Sequence, residues 1–141
     1  MKKLIPLGAV AFVMLAITPQ KAVAQTGTGD YAGYLAALDT MTNADTATYE
    51  VTVTGAKASV AFQVNTTKIS GTLGGKINIY GSIDGTNYLT TVLATEITIT
   101  DASQVRGFVF SNNAYKKYKI VVITSGTQSS SHRVYALYRK L

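Results

Sequence analysis

The chain has 141 residues, 13 basic and 7 acidic, a net charge of +6, no cysteine, no tryptophan and a single histidine. Without cysteine there is no disulfide framework, no thiolate metal centre and no lipid-modified thiol. The length fits one small domain held together by apolar burial alone.

In chain order the first feature is an export signal. Lys2 and Lys3 form a basic start, Leu4 to Thr18 an apolar stretch, and Ala22-Val23-Ala24 an A-x-A cleavage site, so residues 1–24 read as a signal peptide and the mature chain begins at Gln25. The apolar stretch is shorter than the roughly 20 residues a membrane-spanning helix needs, and Pro6 and Gly8 interrupt it. The expectation is export to the periplasm, cell surface or medium, with no membrane span after cleavage. Without Lys2, Lys3 and Lys21, ten basic residues face seven acidic ones, a net charge of +3 that says little about partners.

Residues 25–46 read as an N-terminal arm. Gln25 to Gly29 is a flexible lead, and Asp30 is placed to cap a short helix in which Tyr31, Tyr34, Leu35 and Leu38 share a face, although Gly33 weakens that helix. Such a segment either plugs one end of the domain or docks to a partner. Asp39-Thr40-Met41 and Asp45-Thr46-Ala47 look like the Asp, Ser/Thr, apolar sites at which Bacteroidetes O-glycosylate exported proteins. Asn65-Thr66-Thr67 matches the N-glycosylation sequon at an expected strand end, irrelevant behind a bacterial leader.

From residue 47 to 141 the pattern is period-two alternation, the signature of half-buried strands. Tyr49, Val51 and Val53 alternate with polar neighbours, as do Val60, Phe62 and Val64, then Ile77, Ile79 and Ile83, then Ile97 and Ile99. Strands are expected near 48–54, 57–65, 67–73, 76–83, 87–93, 96–100, 105–110, 117–124 and 131–139. Turn chemistry separates them at Gly55, Gly74-Gly75, Asp84-Gly85, Asn112-Asn113 and Ser125-Gly126. Lys117 to Thr124 is apolar on both parities, which suits a central strand. With one face wet and no room for crossover helices, the fold class is all-β, an antiparallel, jelly-roll-like β-sandwich with Phe62, Ile79 and Val122 in its core.

Chemistry is sparse. His132 adjoins Ser129, Ser130 and Ser131, but a Ser/His pair needs a third group to orient the ring. The acids are scattered singly. Gly27, Gly29 and Gly33 miss the dinucleotide-binding spacing by one residue, and the Asp84-Gly85-Thr86-Asn87 stretch is too short for a calcium loop. No catalytic, cofactor-binding or metal residue is expected, and no enzyme. Lys116, Lys117, Lys119, Arg133, Arg139 and Lys140 interleave with Tyr115, Tyr118, Tyr135 and Tyr138. That reads as outward polar positions on strands rather than as a nucleic-acid surface.

One segment is distinctive: Gly81-Ser82-Ile83-Asp84-Gly85-Thr86-Asn87-Tyr88. With the Tyr-rich strand from Tyr115 to Val122 and the turn Ser125-Gly126-Thr127-Gln128-Ser129, it resembles a group of phage virion β-sandwich proteins, over roughly Leu38 to Arg139. The resemblance implies a structural component of a phage or prophage particle: decoration, fibre or tail-associated. The leader departs from that group, whose members assemble in the cytoplasm, and leaves an exported surface protein equally open.

The functional expectation is a non-enzymatic structural or interaction protein that self-associates or joins other structural proteins. Asp84, Asn87, Tyr88, Tyr115 and Tyr138 are the expected surface contacts. The alternative is a secreted carbohydrate-binding module, with Tyr80, Tyr88, Tyr115, Tyr135 and Tyr138 stacking on sugar rings.

Overall fold

A computed structural model describes residues 31–35, 39–53 and 57–140; the expected signal peptide lies outside them. The described residues form nine strands and no helix: β1 (Tyr31–Leu35), β2 (Asp39–Thr42), β3 (Asp45–Thr52), β4 (Lys57–Gly71), β5 (Gly74–Ser82), β6 (Ile97–Ile99), β7 (Gln104–Phe110), β8 (Lys117–Ser125) and β9 (Gln128–Lys140). All pairings are antiparallel, in two sheets. One runs β1-β9-β4-β7, with β2 also on β9; the other runs β3-β8-β5-β6.

β1 and β2 lie in tandem along one edge of β9, against 135–139 and 129–132, and so occupy a single strand position. Counted that way, eight positions follow the orders 1-8-3-6 and 2-7-4-5, the order of a long hairpin rolled up across two layers. That is a jelly roll.

Several expectations change. Tyr31–Leu35, expected as a short helix, is strand β1, because pairing with β9 satisfies its backbone where a five-residue helix would leave most groups orphaned. Residues 57–65 and 67–73, expected as two strands, are the single fifteen-residue β4, and Asn65-Thr66-Thr67 lies in its interior. Register shifts at Lys57/Ser59 and Lys68/Ser70 let so long a strand follow the twist. Gly74-Gly75 opens β5 instead of forming the turn before it. Residues 87–93 are not a strand, yet the Leu89 and Leu93 N–H groups donate to the Gly81 and Ile79 carbonyls (2.9 and 2.7 Å), so the segment lies along the edge of β5.

The inward parities meet in one core. Phe62, Ile79 and Val122 are buried there as expected, with Met41, Val51, Val60, Ile77, Tyr118, Ile120 and Val134. Ile83, placed by alternation on the inner face, is 60% exposed because β5 ends at Ser82 and the chain turns away. β8 is central, between β3 and β5, but its second apolar parity, Val121 and Ile123, is only half-buried.

Candidate functional site

Where β5 ends, Asp84 organises the chain reversal. One carboxylate oxygen accepts from the Ser82 hydroxyl (2.9 Å) and from the N–H groups of Thr86 and Asn87 (2.8 Å each); the other accepts from the Asn87 side-chain amide (2.8 Å). These donors, the two backbone groups foremost, hold its carboxyl far below the usual carboxylate range. The buried Ser82 hydroxyl also accepts from the Gly85 N–H (3.0 Å), and Gly85 adopts φ 86°, a region that costs glycine nothing. The distinctive motif is therefore a self-satisfied turn. Asp84 and Asn87 are exposed as expected, but their polar groups are committed to each other and to the loop.

The locked turn sets the position of Tyr88. Its ring lies 4.5 Å from the Lys119 ammonium, which is also 5.2 Å from the Tyr80 ring. Strand register puts Glu50 beside Lys119 and Lys119 beside Tyr80 in one row across β3, β8 and β5, on the outer face of that sheet. Burial first, then the Glu50 carboxylate, push the Tyr88 hydroxyl above its ordinary pKa. The row is an amphipathic patch: a cation held between two phenol rings, with a carboxylate beside it.

The other two expected contacts lie elsewhere. Tyr115 is a half-buried wedge, its ring flat against Gly81, where any added Cβ would overlap it, and 5.6 Å from the Tyr118 ring. Tyr138 is buried on the inner face of β9, so it belongs to the core and not to the surface. Glu50, Tyr80 and Lys119 complete the outer patch; of these only Tyr80 was expected as a contact, and only under the carbohydrate-binding alternative. They are far apart in sequence and only cross-strand register unites them.

At the opposite end of the sandwich, His132 is fully buried. Its Nε2 meets the Ser130 hydroxyl at 2.8 Å and its Nδ1 the Thr66 hydroxyl at 3.1 Å, while its carbonyl accepts from the Tyr49 hydroxyl (3.4 Å). The ring's third group is thus a hydroxyl, and Ser130 is as buried as the ring, so no substrate carbonyl reaches this pair. Burial lowers the imidazole's pKa, with the Asp39 carboxylate pulling the other way. The acids stay dispersed: Asp101 pairs with Lys68 (2.7 Å) and Glu96 with Lys76 (2.9 Å). No group of three metal-ligating side chains occurs among the described residues. The basic, Tyr-rich last third divides between the sheets, with Lys117 and Lys119 on β8 and Arg133 and Arg139 on β9.

No protein-family model matches the chain, and no curated protein sequence does. Solved structures of similar fold exist. The structure of infectious bursal disease virus, Gx strain, has a TM-score of 0.51 at 14% identity, over 95% of this chain and 38% of that one. The VP2 subviral particle of infectious bursal disease virus gives 0.52 at 14% identity, over 96% and 37%. The virus-derived T=1 particle gives 0.53 at 14% identity, over 96% and 36%. The likeness is to a virion-type β-sandwich and is one of fold. This chain spans little more than a third of the length of those chains.

Proposed function

We propose that the chain is an exported, non-enzymatic structural β-sandwich that works by associating with copies of itself or with other structural proteins of a phage-like particle or a cell surface. The observation that carries this reading is the match in fold of nearly the whole chain to part of the chains that make up infectious bursal disease virus particles. Two features support it. The Ser130–His132 pair is sealed in the core, and the Asp84 carboxylate is consumed inside its own loop.

Light scattering and electron microscopy on the purified protein test the reading: association that grows with concentration is expected, and a monomer at every concentration that is also absent from particles and cell-surface assemblies of the native host overturns it. N-terminal sequencing from the native host tests export, with Gln25 as the expected first residue. A second reading, glycan binding, is favoured by the paired rings of Tyr80 and Tyr88 on one outer face. A glycan array separates the two, since a monomer that retains one polysaccharide and loses it on Tyr88→Ala replaces assembly with carbohydrate recognition.

A further inference from the structure

The two sheets end in edge strands of opposite character. β3 turns Thr46, Thr48, Glu50 and Thr52 outward, a polar row that discourages pairing with another chain. β7 turns out Val105 (60% exposed), Gly107 and Val109 (73% exposed), and no described residue pairs with its free edge. It contains no proline, its register against β4 from Gln104 to Phe110 is unbroken, and Arg106 is its only charge. Val109 continues through Ala61 to Leu137 (46% exposed) as an apolar row over three strands.

We propose that β7 is the interface with a second copy of this chain, pairing antiparallel across a two-fold axis through Gly107. The proposal rests on the assembly reading above and specifies where contact occurs. The sequence of β7 is self-complementary about that axis. Val105 faces Val109 of the other copy, Val109 faces Val105, and the two Gly107 residues meet at the centre with no side chain between them. On the inner face each Arg106 meets Phe108 of the other copy, cation against ring and never cation against cation. Neighbouring registers lose these matches. An axis at Arg106 opposes the two guanidinium groups, an axis at Phe108 sets Val105 against Ser111, and a slip of one residue turns the valines against the inner face. An isologous pairing of this kind closes the edge and makes one sheet continuous through both copies.

The absence of native cysteine makes the register directly readable. Gly107 has ordinary backbone geometry, and an added Cβ there would meet only the Phe62 carbonyl oxygen, at 3.9 Å, so Gly107→Cys is tolerated. Antiparallel partners lie about 4.5–5.5 Å apart at Cα, within disulfide range. Mild oxidation of Gly107→Cys should therefore give covalent dimer on a non-reducing gel. Val105→Cys and Val109→Cys alone should not, because their copies stand four residues apart, about 13 Å; the double variant should cross-link. If light scattering shows association but Gly107→Cys forms no covalent dimer, the β7 interface is wrong and assembly stands on another surface. If the protein is monomeric and nothing cross-links, the β7 interface and self-association both fall.

Discussion

The two ends of the sandwich are closed by different physics. At one end Phe62, Phe110, Tyr115 and Tyr118 stack across both sheets, with Phe62 4.9 Å from Tyr118 and 6.1 Å from Phe110 by ring centroid. The one buried polar atom they bring, the Tyr118 hydroxyl, is met by Asn113 at 2.6 Å, and burial with the nearby Tyr115 pushes that hydroxyl up to about 12. At the other end the filling is polar: His132 with Ser130 and Thr66, and the Asn43 carbonyl accepting from Thr124 (2.8 Å) and Gln128 (2.9 Å) where the chain passes between sheets. The aromatic end depends on volume and answers to pH only above about 10, where the Tyr118 hydroxyl of the unfolded chain ionises and that of the folded chain does not. The polar end depends on every donor having its acceptor, and pH reaches it.

Phe62→Ala should break the aromatic end with the largest effect. It deletes the ring that touches both sheets and lies opposite Phe108 in register, and large-to-small core changes of this kind cost about 3–5 kcal/mol. For a domain of this size that is a large share of total stability. Urea unfolding should show the midpoint falling with little change in slope; a midpoint that barely moves would place the closure of this end elsewhere.

Ser130→Ala tests the polar end. It leaves His132 Nε2 buried without a partner, which costs about 1–3 kcal/mol even though little volume is lost. The same ring makes this end sensitive to acid. Its folded pKa lies below the ordinary histidine value of 6.5, so below that pH the unfolded chain takes up a proton that the folded chain refuses. The contribution is complete above pH 6.5 and is lost as pH falls through the lowered folded value. Asp84 and Asp101, whose pKa values are also depressed, act only below about pH 4. Unfolding measured from pH 7 to 4.5 should therefore show declining stability, and His132→Gln should flatten that slope. A slope unchanged by the substitution would mean that the histidine is not what acid attacks.

This contrast was only half legible in the sequence. Alternation identified the inward parity of β4, β5 and β8, and with it Phe62, Ile79 and Val122, because a period of two survives whatever the neighbouring strand is. It could not identify His132 as core. A serine run reads as a turn, and only the β9–β4 register, His132 opposite Thr66, supplies the second hydroxyl, beside that of Ser130 on β9 itself, that makes its burial tolerable. Tyr138 misleads for a related reason: followed by Arg139 and Lys140 it reads as surface, yet its parity is that of Val134 and Ala136. β1 was missed because Tyr31, Tyr34, Leu35 and Leu38 fit helical spacing, and the deciding partner, β9, lies a hundred residues away. The Glu50–Lys119–Tyr80 row is in the same position. Each residue looks like an ordinary outward residue until register aligns them.

The smallest expected effect concerns the loop that flanks the aromatic end. Gly85→Ala puts a Cβ on a residue at φ 86°, a conformation costing an L-residue about 1–2 kcal/mol, while the nearest atoms, on Lys116, are 3.8 Å away and make no clash. The penalty is thus purely one of backbone conformation, and it falls on the turn that Asp84 holds together. Because Tyr88 is positioned by that turn and not by the core, the substitution should loosen its packing over Lys119 without disturbing Phe62 or Tyr118. Tyrosine ring resonances separate the two cases: Tyr88 should shift and broaden while Tyr118 stays fixed. If Tyr118 moved as well, the loop would be part of the aromatic closure, and the aromatic end would depend on hydrogen bonds after all.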